Sequence, residues 1–250
     1  MKVTALGSAD AFNSAGRGHT SWLIEDQHGL CAVDFGATAL MALKRLGRDP
    51  GELNAVHFTH LHGDHIAGWP FLLVDAVYRL ERTGPLLASG PPGTKARLHA
   101  LWAACYARAA EKPLPFPLEI HELRPGESAL LAGREVRAFA AQHMTPPEIA
   151  LSLRIGVAAF TGDTGAIPEG LCDGAQVLCA ECTYVRPEAA AGPRPSGLGP
   201  PPRHLDWETL KKSLPQVPRI LLAHLGEEAR SIRPDDPSVV VCDDLFSVEV

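Results

Sequence analysis

The stretch Phe58-Thr59-His60-Leu61-His62-Gly63-Asp64-His65 packs three imidazoles and a carboxylate between His60 and His65, directly after an apolar run that reads as a strand. In an extended segment residues two apart share a face, so His60 and His62 point the same way. A turn at Gly63 lets Asp64 and His65 swing back toward a second position. Imidazole nitrogen and carboxylate oxygen are the ligands that borderline divalent ions such as Zn²⁺ take, so the spacing points to metal chemistry.

The elements that must position this cluster alternate between short strands and helices. Lys2 to Leu6, Thr20 to Ile24, Leu30 to Phe35 and Asn54 to Phe58 read as strands, the last delivering His60, and Thr38 to Leu46 reads as a helix closed by Gly47. Gly68 to Arg82 and Thr94 to Arg108 read as helices around a strand at Pro85 to Ser89. Leu118 to His121, Ser128 to Leu131, Arg134 to Ala140, Ile149 to Ile155, Val157 to Phe160, Gln176 to Glu181 and Arg219 to Ala223 read as further strands, with a helix near Asp206 to Leu214. Three more candidate ligands stand where such strands end: His143, Asp163 in Phe160-Thr161-Gly162-Asp163-Thr164, and His224 after Ile220-Leu221-Leu222-Ala223. Ligands gathered from strand ends on a rigid sheet make a preorganised site. The proline- and glycine-rich segment 185–203 reads as a surface loop or lid, and no repeat or linker divides residues 1–250, which are expected to form a single domain.

Length and composition fit that expectation. A chain of 250 residues with 46% hydrophobic content buries a real core, and the 23 glycines and 22 prolines are spread through many turns. No run approaches a membrane span, and the N-terminus lacks a signal-peptide pattern. Six cysteines without a secretion signal read as reduced thiols of a cytoplasmic protein. A net charge of −6 argues against a surface that grips polyanionic nucleic acid throughout, while leaving room for a small anionic substrate drawn to metal ions.

The order of these residues resembles that of the metallo-β-lactamase superfamily, whose members share an α/β four-layer αββα sandwich with one or two metals at its edge. The resemblance runs from Asp34 in Ala32-Val33-Asp34-Phe35-Gly36 through the His-x-His-x-Asp-His signature to His143, Asp163 and His224. It implies two divalent ions, Zn²⁺ first and Mn²⁺ or Fe²⁺ as replacements. His60, His62 and His143 would hold one, Asp64, His65 and His224 the other, and Asp163 would bridge them. Asp34 would orient a ligand histidine, although by sequence alone it could equally cap the helix near Thr38.

Leu6-Gly7-Ser8-Ala9-Asp10-Ala11, Arg17 and His19-Thr20-Ser21 look like the N-terminal loop and strand of the ribonuclease Z-like, phosphodiesterase-like branch. His204, ahead of Asp206-Trp207-Glu208-Thr209-Leu210, falls where those enzymes carry a substrate-facing histidine. The expected function is therefore a metal-dependent hydrolase of phosphodiesters using a metal-bridging hydroxide. Asp64 would orient the hydroxide or take its proton, and His204 would protonate the leaving oxygen. The branch is compatible with a homodimer. The short interval between His143 and Asp163 leaves no room for the substrate-gripping arm of transfer-RNA-processing members. That gap disfavours transfer RNA as a partner and favours a small or short-nucleotide phosphodiester.

Hydrolysis of an ester, lactone, thioester or lactam needs the same nucleophile and stays open as an alternative, as does non-catalytic metal binding. Cys179-Ala180-Glu181-Cys182 ends a strand, where residues three apart face opposite sides, so its cysteines are expected to be packing residues and Glu181 either close enough to the site to matter or a hydrogen-bonding strand-end carboxylate. His19, His28, His57, His99 and His121 lack ligand partners at useful spacing. Gly90-Pro91-Pro92-Gly93-Thr94 lacks the lysine of a phosphate-binding loop.

Overall fold

A computed structural model describes residues 1–187 and 203–250. Of the segment expected to be a loop or lid, 188–202 lies outside the described residues.

Alternating apolar residues in short strands force two sheets to pack face to face. The first sheet contains β1 (Lys2–Gly7), β2 (Ser21–Asp26), β3 (Gly29–Val33), β4 (Leu53–His57), β5 (Leu86–Gly90) and β6 (Leu118–Glu122). The second contains β7 (Ser128–Leu131), β8 (Arg134–Ala140), β9 (Leu151–Ile155), β10 (Ala158–Phe160), β11 (Val177–Glu181), β12 (Arg219–Ala223) and β13 (Val239–Val241). With β14 (Ser247–Glu249) added outside β1, the first sheet runs β14-β1-β2-β3-β4-β5-β6, and the second runs β13-β12-β11-β10-β9-β8-β7. β3 through β6 pair in parallel, as do β10 through β13, while the strands before them are antiparallel.

The period of two sorts the side chains into layers. Trp22, Ile24, Cys31, Val33 and Ala55 face Leu153, Ile155, Val177, Cys179 and Leu221 in the core between the sheets. Leu23, Ala32 and Val56 face the other way and cluster with Leu43, Trp69, Leu72 and Leu98, from α1 (Ala39–Arg45), α3 (Trp69–Val74) and α4 (Thr94–Cys105). On the far side Leu178, Ala180, Ile220 and Leu222 cluster with Leu210 of α6 (Trp207–Leu210). Three apolar interfaces separate four layers, the αββα sandwich.

Several local expectations are corrected. The expected helix Gly68 to Arg82 changes pitch after α3 to a π turn over Asp75–Arg79, where the Asp75 carboxylate is held by Lys44 and Arg79. The expected helix to Arg108 breaks at Tyr106 (φ −139°) before a last turn, α5 (Ala107–Ala110). The helix expected to reach Leu214 is a single turn, capped by Asp206 accepting from Thr209 N at 2.8 Å. Asp34 does not cap α1, whose N-cap position is Thr38, its hydroxyl accepting from the His19 amide instead of capping the helix. Cys179 and Cys182 do pack on opposite faces, in the inter-sheet and outer cores. No helix among the described residues is long and apolar enough to cross a membrane.

Candidate metal centre

The carboxyl ends of five strands converge at one edge of the sandwich. β4 leads into His60 and His62, β8 into His143, β10 into Asp163, β11 ends on Glu181, and β12 leads into His224. Gly63 opens a one-turn helix, α2 (Gly63–Ile66), rather than a glycine-specific turn, and this helix presents Asp64 and His65. The approach of the contributing loops demands glycine. A Cβ on Gly36 would lie 2.0 Å from the Asp64 carbonyl oxygen, and one on Gly68 would lie 2.3 Å from the Gly36 carbonyl oxygen.

Within the site His60 Nε2 lies 3.0 Å from His62 Nδ1, and His143 Nε2 lies 3.1 Å from that same atom. Asp163 Oδ2 stands 3.7 Å from both His60 Nε2 and His143 Nε2. Across the site, His65 Nε2 is 3.2 Å from Asp64 Oδ2 and 3.4 Å from Asp163 Oδ1. His224 Nε2 is 3.4 Å from Asp64 Oδ2 and 3.3 Å from Asp163 Oδ2. The donors of the expected set form two groups, His60, His62, His143 and Asp163, then Asp64, His65, Asp163 and His224, and beside them Glu181, His204 and His224 form a third; within each every donor atom lies within 4.8 Å of the others. Asp163 belongs to both of the first two.

Hydrogen bonds behind the rings fix which nitrogen each histidine offers. A carbonyl only accepts, so His143 Nδ1 donates to the Arg203 carbonyl at 3.0 Å and its Nε2 keeps a lone pair. His65 Nδ1 donates to Asp34 Oδ2 at 2.8 Å. Thr59 Oγ1 gives its proton to Asp34 at 2.8 Å and therefore accepts from His60 Nδ1 at 3.1 Å. Thr183 Oγ1 likewise gives its proton to Glu181 at 2.7 Å and accepts from His224 Nδ1 at 2.9 Å. Four Nε2 lone pairs consequently point into one space, joined by His62 Nδ1. The Nε2 of His65 is buried there beside the Asp64 and Asp163 carboxylates without a well-aligned hydrogen bond to either. This donor set fits divalent cations with nitrogen and oxygen ligands.

Backbone strain coincides with the same residues. Asp34 (φ 59°) and His224 (φ 53°) sit in the left-handed region that non-glycine residues rarely adopt. Asp34 is held by its amide on the His57 carbonyl at 2.8 Å and its carboxylate on the Thr59 amide at 2.8 Å. His224 is held by its amide on Thr20 Oγ1 at 2.9 Å.

The electrostatics call for positive charge. Burial resists ionisation of Asp163 and Asp64, yet the adjacent His65 and His224 hold both carboxyls far below their usual range. Burial opposes protonation of His224 and His65, but Asp163 and its neighbouring carboxylates prevail, raising His65 well above its ordinary value and His224 to about 9. The His224 proton therefore stabilises the metal-free fold fully below about pH 6.5, and that contribution fades as pH rises through about 9. A cation competes with this proton. The gap in melting temperature between Zn²⁺-loaded and metal-free protein is expected to widen from pH 6.5 to pH 9. Paired thermal melts across that window check it.

Beside the donors stands His204, its Nδ1 donating to Glu181 Oε1 at 2.9 Å and its ring stacked on His224 at 5.4 Å. Burial opposes its protonation, but Glu181 raises its pKa above the ordinary value. Glu181 is itself pinned by the Thr164 amide at 2.8 Å and by Thr183. Of the two readings open for Glu181, the structure has the one close to the site, beside His204 and His224; its position at the end of a buried strand, like the lead-ins to Asp163 and His224, is the signal in the sequence. His19, passed over for want of a ligand partner, has its ring within the electrostatic reach of Asp64, His65 and His224. His57 does face away, buried against Ser89 Oγ at 2.8 Å.

The chain has the metallo-β-lactamase fold, and its sequence and donor set are similar to those of ribonuclease Z proteins. The chain belongs to the family described as Anti-Pycsar protein Apyc1, whose profile matches residues 1–189. Ribonuclease Z of Haloferax volcanii is 33% identical over 146 residues, covering 58% of this chain and 44% of that protein. The chain thus spans less than half the length of that relative. Human tRNase Z, short form, superposes with a TM-score of 0.76 at 22% identity, over 100% of this chain and 99% of the other. Zn²⁺-bound PqqB from Methylobacterium extorquens gives 0.70 at 15% identity, over 100% of both chains.

These likenesses correct one expectation. Transfer RNA was disfavoured because no arm fits between His143 and Asp163, yet the similar curated relatives are named ribonuclease Z, and a tRNase Z shares the fold throughout. The donor groups come together in this chain without any such arm. The missing arm does not argue against such a substrate.

Proposed function

We propose that the protein is a metal-dependent hydrolase that cleaves phosphodiesters. Asp163, shared between two donor groups, carries the reading. His60, His62 and His143 would hold one divalent ion, and Asp64, His65 and His224 the other, with Asp163 on both. Zn²⁺ is the first expectation and Mn²⁺ or Fe²⁺ the replacements. Bound there, such ions supply a lowered pKa for coordinated water and neutralise charge on the phosphoryl oxygens.

The chain's own residues do the rest. Asp34 fixes the tautomer and aim of His65, and Thr59 and Thr183 do the same for His60 and His224. Asp64, half-buried between His65 and His224, is placed to orient the attacking water and take its proton. His204, its Nδ1 held by Glu181, is placed beside the donors to protonate the leaving oxygen, and the Glu181 carboxylate favours its protonated form. The six cysteines are all free thiols, which supports a cytoplasmic setting.

Replacing His204 with alanine is expected to lower kcat on a phosphodiester by about a hundredfold to ten-thousandfold. Metal content should stay intact, read by elemental analysis of the same sample. An equal fall in metal content would make His204 a ligand instead of an acid. The substrate class itself is tested with metal-loaded protein on bis(p-nitrophenyl) phosphate, cyclic nucleotides, a short RNA, an aryl ester, a lactone and a β-lactam. Turnover confined to the acyl substrates overturns the phosphodiesterase reading.

A further inference from the structure

Arg203 stands where three parts of the site meet. Its carbonyl accepts from His143 Nδ1 at 3.0 Å, and it directly precedes His204 in the chain. Its side-chain stem crosses the loop that delivers Asp163: a Cβ on Gly165 would lie 2.7 Å from the Arg203 Cβ, so that glycine is what lets the arginine lie there. The guanidinium, on an exposed residue, donates to the neutral Oε1 of Gln142 at 3.2 Å and, among the described residues, makes no ion pair. Arg134, Arg79 and Arg97, in contrast, each face a carboxylate.

An arginine fastened at its backbone and stem, whose planar fork of donors has among the described residues a single neutral partner, is equipped for a phosphate group. Its hydrogen bond to the exposed Gln142 amide is of a kind that costs little to exchange. Its charge adds to the pull of the site on anions, which focused electrostatics in a cleft strengthens. A neutral acyl ester offers this group nothing comparable.

We infer that Arg203 is a specificity-determining residue that binds a non-bridging oxygen of the substrate's phosphodiester and selects anionic over neutral esters. The inference rests on the phosphodiesterase reading. It differs from the roles given to His204 and the metal donors in acting through the substrate's charge.

The test compares wild type, Arg203→Gln and Arg203→Lys, all Zn²⁺-loaded. In Arg203→Gln, kcat/KM for bis(p-nitrophenyl) phosphate should fall about tenfold or more, carried chiefly by KM, and Arg203→Lys should recover part of the loss. The rise of KM with added NaCl should flatten in Arg203→Gln, because the screened charge is gone. Calorimetric titration with inorganic phosphate should show a matching loss of affinity at unchanged metal content; the backbone carbonyl that holds His143 is kept in both variants. Unchanged phosphate affinity and KM, a loss not relieved by lysine, or reduced metal content overturns the role of Arg203. Failure of the wild type to cleave any phosphodiester defeats the phosphodiesterase reading separately, since the phosphate titration needs no turnover.

Discussion

Asp163→Ala is expected to lower phosphodiester turnover by roughly a thousandfold or more and to leave the purified protein deficient in bound metal. The residue is unusual among the donors in having an oxygen near both groups, Oδ1 toward His65 at 3.4 Å and Oδ2 toward His60, His143 and His224 at 3.7, 3.7 and 3.3 Å. Its loss therefore removes a ligand from each group at once, and no other carboxylate belongs to both. Asp163 is also the leading attractive influence that raises the pKa of His65 and His224. Without it both histidines should give up their protons more readily, a change that NMR titration of the metal-free variant reads directly. Asp163→Asn, which keeps the shape and removes the charge, should reproduce most of the loss. Wild-type turnover at full metal content in either variant would remove Asp163 from the mechanism.

Arg134→Ala is expected to destabilise the fold by about 3–5 kcal/mol without touching the donors. The Arg134 side chain is 2% exposed and joins the start of β8 to the first sheet. Its Nε and Nη2 donate to the two oxygens of Asp26 at 3.0 and 2.6 Å, and Nη2 also reaches the Gly29 carbonyl at 2.8 Å. Truncation leaves the Asp26 carboxylate and the Gly29 carbonyl short of a partner at the seam between sheets, which is the costly way to break such a pair. Burial resists ionisation of Asp26, but hydrogen bonds and charge from Arg134 lower its pKa. The pair's contribution is thus present above about pH 3.8 and is lost as pH falls through the lower folded value. Thermal or urea unfolding of the metal-loaded variant measures the effect; a loss below about 1 kcal/mol would show the pair to be dispensable.

The donor residues were legible because chemistry constrains them tightly. Three imidazoles and an aspartate between His60 and His65 have few other uses, and His143, Asp163 and His224 announced themselves by following apolar strands. The second coordination layer was far less readable. Thr59, Thr183 and Glu181 are ordinary strand-end residues in one dimension, and their task appears only when the fold lays them behind particular ring nitrogens. Asp34 could be taken for a helix cap until its carboxylate was seen on Thr59 and His65.

Strands with a clear period of two were placed nearly to the residue, as with Ser128–Leu131 and Arg134–Ala140. The short Val239–Val241 and Ser247–Glu249 escaped because three residues carry no period, and their pairing is set by β12 and β1, distant in sequence. Helix ends failed for tertiary reasons: the Asp75 carboxylate, gripped by Lys44 and Arg79, sits where α3 widens into the π turn. Each sheet joins antiparallel strands to a parallel run, a symmetry of topology with no counterpart in the residues themselves.

Chelator-stripped protein titrated with Zn²⁺ while bis(p-nitrophenyl) phosphate hydrolysis is followed tests the central claim most directly. Activity should be absent without metal and should rise to a plateau at two equivalents per chain, as expected for two donor groups sharing Asp163. Diester hydrolysis that persists in the stripped protein, or no diester hydrolysis at any Zn²⁺ level, would contradict it.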